Sequence, residues 1–202
     1  ELEGIEKCLN FLAGINIHKG LKPSGRILVI GGGNAAMDAA RSALRMGADN
    51  VTILYRRTKK EMPADHLEVE AAIREGVQIR FLVAPKKILI KNGRVAGLEM
   101  GKMKLLAVEG ERREEPVYID GESFCLEADL VITAIGQRPE LSFLDKRAIN
   151  SEGMIDCDST GMVQGYKGIF AAGDALIGPS TVVQAVSSGK STALKVMNYL
   201  LG

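Results

Sequence analysis

The sequence predicts an α/β protein: a parallel sheet with helices on its faces, interrupted by an antiparallel β-meander, and followed by a segment of different character. Three observations lead there. Between residues 26 and 83, short apolar runs alternate with helix-period stretches in units of about 25 to 30 residues, which implies right-handed crossovers between parallel strands. Between Lys86 and Leu126 that rhythm gives way to short stretches separated by turn dipeptides. At 130–134 a continuous apolar run returns, of the kind a strand buried in a parallel sheet shows.

Each element has its own signal. Ile5, Cys8, Leu9 and Leu12 recur at helical spacing and predict a helix over 3–13, followed by a loop with Gly20, Pro23, Ser24 and Gly25. Arg26 to Ile30, a short apolar run after a turn, predicts a strand. Asn34 to Met46 places Met37, Ala40 and Leu44 on one helix face, with Gly47 where a helix C-terminus favours glycine. Val51 to Tyr55 is the second strand. Asp65 can cap a helix that has Glu68 at the reciprocal capping position and stops at Gly76. Val77 to Val83 is the third strand. In the meander, hairpin turns are expected at Asn92-Gly93 and Asp120-Gly121, with a charged run from Glu109 to Glu115 between them. After Pro139 come Gly-rich loops, a short strand at Gly168 to Ala172, and a helix from about Thr181 to Leu200. On that helix Val182, Val186, Gly189, Ala193, Met197 and Leu200 form an apolar or small face. A boundary near residue 140 divides the chain into domains 1–140 and 141–202.

Composition narrows the function classes. The 202 residues suit one large domain, or one domain and part of another. With 26 basic against 25 acidic residues, the chain lacks the basic excess of a nucleic-acid or anionic-membrane binder. Aromatics at 4% argue against a stacking platform for single-stranded nucleic acid. Cys8, Cys125 and Cys157 include no CxxC, and only His18 and His66 stand by to help them hold a metal. The cysteines therefore read as reduced thiols, and their odd number suits a reducing cytoplasm. The apolar runs fall well short of the roughly 18 residues that span a bilayer. The chain begins at Glu1 with no basic region and apolar stretch behind it, which suits a cytoplasmic protein and a fragment without its initiating Met.

The sharpest motif is Gly31-Gly32-Gly33-Asn34-Ala35-Ala36, a GxGxxA loop directly between a predicted strand and a predicted helix. Gly31 permits the tight turn, Gly33 lets backbone approach a pyrophosphate, and Ala36 keeps the helix near the strand. The helix start supplies free N–H groups and a positive dipole end. The alternative is an ordinary Gly-rich turn, but a strand before, a helix after and a second strand on cue favour dinucleotide binding of the Rossmann-like kind. At the end of the second strand, about 20 residues on, an NAD site carries an acidic residue for the ribose hydroxyls. Here the chain reads Tyr55-Arg56-Arg57, and a planar cationic fork suits the 2'-phosphate of NADP instead. Tyr55 to Lys59 also satisfies YxxxK, but at the adenosine end, where it has no proton to transfer. Val131 to Pro139 ends a strand at Gly136 on the carboxyl edge of the sheet, where doubly wound folds bind ligands. Gly173-Asp174 sets a carboxylate after another predicted strand, and the helix starting near Thr181 offers its N-terminus to a flavin.

With these segments on view, the chain resembles the two-dinucleotide-domain flavin reductases, and among them the small subunit of NADPH-dependent glutamate synthase and its relatives. The likeness runs through Gly31 to Asp38, Tyr55 to Arg57 with Met62-Pro63-Ala64, Ala134 to Gly136 with Pro139, Gly173-Asp174, and Gly178-Pro179 through Gly189-Lys190. It implies NADPH and FAD as cofactors. Gly31, Gly33 and Ala36, in the loop with Gly32, Asn34 and Ala35, would serve the NADPH pyrophosphate, and Arg56 and Arg57 its 2'-phosphate. Asp174, beside Gly173, would serve the FAD ribityl or pyrophosphate region, and Thr181 to Val183, Val182 included, the flavin. Gly136 belongs to the same cofactor-binding set. The family also carries an earlier FAD-binding half with its own Gly-rich loop, and often an iron–sulfur module. Neither is seen here, so the chain reads as an NADPH domain plus a C-terminal segment of an FAD domain, with those modules or a partner oxidoreductase subunit as partners. Hydride would pass from NADPH to flavin, and no catalytic residue is named because the cofactors carry the chemistry. The rival readings are a non-catalytic NADP(H)-binding or sensing module and a self-sufficient NADP dehydrogenase, the latter without a placed proton-transfer pair.

Overall fold

The computed structural model describes residues 2–18, 22–108 and 113–202. Gly20, the side chain of His18 and residues 109–112 of the charged run lie outside the described set. The chain divides into two compact units, Glu1–Ile135 and Gly136–Gly202.

The first unit is built on a five-stranded parallel sheet. Its strands are β1 (Ile5–Lys7), β2 (Arg26–Ile30), β3 (Asn50–Tyr55), β4 (Gln78–Phe81) and, after the meander, β8 (Leu130–Thr133). The spatial order is β1-β8-β2-β3-β4. The chain leaves β2 toward β3 and β4 on one side, while β8 and β1 lie on the other, so the strand order reverses at β2. Helices α1 (Cys8–His18), α2 (Asn34–Arg45) and α3 (His66–Arg74) share one face of the sheet. There Ile27, Val29, Val51, Ile53 and Ile132 pack on Phe11, Met37, Ala40, Val69 and Ala72. The alternate residues Leu28, Leu54 and Val131 point to the opposite face, as the two-residue period of a strand requires, and meet Val95, Leu98 and Met100 of the meander. The meander is an antiparallel sheet of β5 (Val83–Lys91), β6 (Arg94–Leu106) and β7 (Glu115–Glu127). Both faces of β2, β3 and β8 are therefore dry, which explains why these strands read as continuous apolar runs, while the edge strands β1 and β4 are partly exposed and mix in charged and polar residues.

Several boundaries differ from the sequence expectation. The helix expected over 3–13 begins only at Cys8, because Ile5 belongs to β1 and pairs with Val131. Its apolar side chain fitted a helical period by coincidence. The strand expected over Val77–Val83 ends at Phe81, since Leu82 has a φ of 55° and turns the chain into β5. Asn92-Gly93 is the β5–β6 turn, with φ values of 53° and 78° that match the favoured two-residue hairpin. Asp120-Gly121 is not a hairpin turn but lies in an irregular stretch of β7, where the register with β6 shifts between Gly101 and Met103. Asp65 caps α3 by accepting from Leu67 N–H at 2.8 Å, whereas Glu68 turns to Arg41 of α2 and makes no reciprocal cap.

The second unit is mostly loops around Leu141, Ala148, Ile155, Val163 and Ala171. The strand expected at Gly168–Ala172 is reduced to one bridge, Met162 to Phe170, since no further strand among the described residues pairs with that stretch. A short helix α4 (Asp174–Ile177) precedes α5 (Val182–Leu201). Thr181 and Gln184 form a capping box at the start of α5. Polar side chains anchor this helix to its own unit: Ser188 Oγ accepts from Gly173 N–H at 3.0 Å, and Thr192 Oγ1 donates to the Ala171 carbonyl at 3.2 Å. Its apolar stripe, from Val182 through Met197 to Leu200, is exposed.

Candidate functional site

Three adjacent glycines end β2, and each has a different physical reason. Gly31 has a φ of 144°, and a Cβ there would stand 2.3 Å from the Ala134 carbonyl oxygen, a backbone atom that cannot swing away. At Gly32 a Cβ would stand 2.5 Å from the ring of Tyr55, which is buried beneath the loop. Gly33 is different. Its backbone is extended, with φ −92° and ψ 176°, and the nearest atom to a Cβ is Pro63 Cγ at 4.0 Å. The chain itself leaves room for a side chain at Gly33, so the empty space there is of use only to something approaching from outside.

That space adjoins the N-terminus of α2. Gly33 is the N-cap and offers no side chain to the first turn, which contains no acidic residue. Ala36 and Met37 donate to the Gly33 carbonyl at 2.9 and 3.2 Å, while the N–H groups of Asn34 and Ala35 have no acceptor among the described residues. Unsatisfied amides and a positive helix end form an anion cradle, and this one lies at the strand-order reversal, at the carboxyl edge of the sheet. Ala36 is fully buried, so the helix runs close to the sheet. Cys8 Sγ donates to the Ala35 carbonyl at 3.2 Å from beneath. Burial, helped by Asp38, pushes that thiol up to about 11, and it stays protonated at neutral pH.

The two arginines after β3 stand in different states. Arg56 is exposed and makes no hydrogen bond or ion pair among the described residues. Arg57 is half-buried; its Nη2 donates to the Glu114 carbonyl at 3.3 Å, its carbonyl accepts from Leu82 N–H at 3.1 Å, and its buried Nε has no acceptor among the described residues. A short turn at Lys59–Glu61 follows, stapled by Thr58, whose N–H and hydroxyl both donate to the Glu61 carboxylate. These bonds hold Glu61 below the usual carboxylate range. The next residues return to the glycines. Ala64 N–H donates to the Gly32 carbonyl at 3.1 Å, Asp65 N–H donates to Asn34 Oδ1 at 2.8 Å, and Tyr55 Oη donates to the Glu61 carbonyl at 2.7 Å. Sequence reasoning missed these contacts. Met62-Pro63-Ala64 stood out only through a resemblance, and nothing in its residue types announces a return to the loop.

In the second unit, Gly136 has a φ of 101° and is exposed, with no atom within 4 Å of a Cβ. Gly173 has a φ of 68°, a turn that glycine makes without strain, and Asp174 follows it, exposed, with Oδ1 accepting from Ser180 Oγ at 3.3 Å. The box at Thr181 satisfies the Gln184 amide and leaves those of Val182 and Val183 without acceptors among the described residues. The side chains of Val182 and Val183 are 80% and 77% exposed. No group of His, Cys, Asp and Glu among the described residues is arranged to hold a metal ion.

A glycine turn opening onto a helix N-terminus, on a parallel sheet with an exposed arginine at the end of the next strand, is the architecture of the Rossmann-like α/β proteins. More particularly, the model of the pyridine nucleotide-disulphide oxidoreductases matches residues 12–189, and the chain belongs to that family. It is 41% identical over 194 residues to the NADP(+)-dependent formate dehydrogenase subunit beta of Moorella thermoacetica, a match covering 95% of this chain and 27% of that protein. It is 36% identical over 183 residues to the glutamate synthase [NADPH] small chain of Escherichia coli, covering 87% of this chain and 39% of that one. Among solved structures, Mycobacterium tuberculosis FprA in complex with NADPH superposes with a TM-score of 0.77 at 19% identity, covering 99% of this chain and 59% of that chain, a likeness of fold. The resemblance to glutamate synthase small subunits and their relatives thus holds. The chain spans 27% of the first of these relatives and 39% of the second.

Proposed function

We propose that this chain is the NADPH-binding portion of an FAD-dependent oxidoreductase of the glutamate synthase small-subunit type, which passes hydride from NADPH to flavin and electrons onward to a partner. The observation that carries the reading is the open space at Gly33 before the unsatisfied amides of Asn34 and Ala35, with Arg56 bare at the end of β3. The residues present fit a dinucleotide. The Gly31–Ala36 turn would hold the pyrophosphate, and Arg56, with Arg57 beside it, would hold the 2'-phosphate. In the second unit, Asp174 would accept from ribityl hydroxyls, while the amides of Val182 and Val183 would donate to an electron-rich edge of the flavin ring, with Gly173 and Gly136 leaving room for backbone approach.

When bound, the flavin supplies two-electron acceptance from the nicotinamide and release to a partner centre. The chain contributes position. Its glycine turn fixes the phosphates, its arginines choose the phosphorylated nucleotide, and none of its side chains is asked to move a proton. The exposed Asp174 and open amides of α5, which a sensor of NADP(H) has no use for, favour the flavin reading over a non-catalytic module.

The longer relatives support a further statement, that the flavin site is completed by a segment beyond residues 1–202 and that this chain is inactive alone. Visible absorption of the purified chain with added FAD, alongside an NADPH titration, tests it. Saturable NADPH binding without stoichiometric flavin is expected, and tight one-to-one FAD binding would refute the incomplete site.

A further inference from the structure

The return of residues 58–65 to the glycine turn has a use beyond packing. Four contacts tie this segment at both ends. Thr58 and Glu61 close its start on themselves next to Arg56-Arg57. The Tyr55 hydroxyl holds the Glu61 carbonyl, Ala64 N–H holds the Gly32 carbonyl, and Asp65 N–H holds Asn34 Oδ1. The Tyr55 ring fills the space under Gly32. The end of β3, which carries Arg56, and the start of α2, which carries the anion cradle, are thereby joined through a second, local route besides the sheet.

We propose that residues 58–65 act as a strap coupling recognition of the 2'-phosphate to the pyrophosphate turn, with the side chains of Asn34 and Tyr55 positioning that turn and not binding the nucleotide themselves. This rests on the reading of the first unit as an NADPH site. Asn34 Oδ1 spends its acceptor capacity on Asp65, and the Tyr55 hydroxyl is spent on Glu61. An anion needs donors, so neither oxygen is of use to a phosphate in the present geometry; the Asn34 side-chain NH2 is the donor left over, and nucleotide titration separates its direct use from positioning. Engaging Arg56 with the 2'-phosphate fixes the end of β3 from which the strap starts, and the strap, already closed by these bonds, holds Gly32 and the first turn of α2 in the shape that receives the pyrophosphate. Coupling between two such sites is reciprocal.

The test has two readouts on the whole chain. Amide exchange of the nucleotide-free protein reports the strap directly. Asn34→Ala should lose protection at Asp65 and Ala64, and Asn34→Asp, which keeps the acceptor oxygen, should restore it. Unchanged protection in Asn34→Ala would overturn the strap. Titration with NADPH and NADH reports the coupling. Asn34→Ala and Tyr55→Phe should each lower the preference for NADPH by about fivefold or more, the size of an ordinary coupling between sites, and the double variant should fall no further than the worse single one. Equal loss for both nucleotides, or losses that add, would instead mark direct ligands and overturn the proposal. If the unaltered chain bound no NADPH, the site reading would fail while amide exchange still judged the strap.

Discussion

Gly33 and Gly31 stand two residues apart and should respond to the same substitution in opposite ways. A methyl group at Gly31 meets a carbonyl oxygen at a left-handed φ, so Gly31→Ala should cost about 2 kcal/mol or more, read as a lower midpoint in urea. At Gly33 the fold has room and the backbone suits any residue, so Gly33→Ala should cost under about 1 kcal/mol, the range of an N-cap change. Its effect should appear as a loss of NADPH affinity of about tenfold or more, measured by calorimetry, since a Cβ fills the space a pyrophosphate needs. A Gly33→Ala protein that bound NADPH normally would remove the reason given for that glycine. The thiols divide in the same way. Cys8 is buried with its pKa up at about 11, and Cys125 is exposed. At pH 8 an alkylating reagent should reach Cys125 first and Cys8 only on unfolding, as peptide mapping would show.

Between elements, the clearest polar device joins α2 to α3. Glu75 accepts from Arg41 at 2.8 Å and from Arg45 at 2.5 Å, with Glu68 also on Arg41. Arg45 first and Arg41 second draw the Glu75 carboxyl from 4.5 down to about 2. A carboxylate with a depressed folded pKa adds stability above its unfolded value, and that contribution is lost as pH falls from about 4.5 toward 2. Glu75→Gln should therefore lower the melting temperature at pH 7 and leave it nearly unchanged at pH 2. An equal loss at both pH values would mean that Glu75 acts by packing alone. At this scale the sequence was legible where burial is simple. The strands β2, β3 and β8, dry on both faces, announced themselves as apolar runs, and α2 did so through its Met37 and Ala40 face. It was less legible where tertiary contacts decide. Ile5 obeys a helical spacing yet pairs in the sheet, Glu68 finds an arginine instead of a cap, and Asp120-Gly121 carries a turn signature inside a long strand.

For the molecule as a whole, the glycine turn and Arg56 could be read because both are local: one strand, one turn, one helix, and the end of the next strand. The different surroundings of Arg56 and Arg57 could not, because they depend on Glu114, distant in sequence, accepting from one guanidinium and not the other. The return of 62–65 to the turn was hidden for the same reason. In the second unit, the sequence showed an apolar face on α5, and the structure reveals that Ser188 and Thr192, on the polar side, anchor the helix and leave that face exposed. No helix among the described residues is long and apolar enough to cross a membrane. The most direct test of the central claim is calorimetric titration of the chain and of Arg56→Ala with NADPH and NADH. The account predicts that NADPH binds more tightly than NADH, and that losing Arg56 costs about 1.5 to 3 kcal/mol with NADPH and little with NADH. Equal affinity for the two nucleotides in the unaltered chain, or an NADPH affinity indifferent to Arg56, would contradict it.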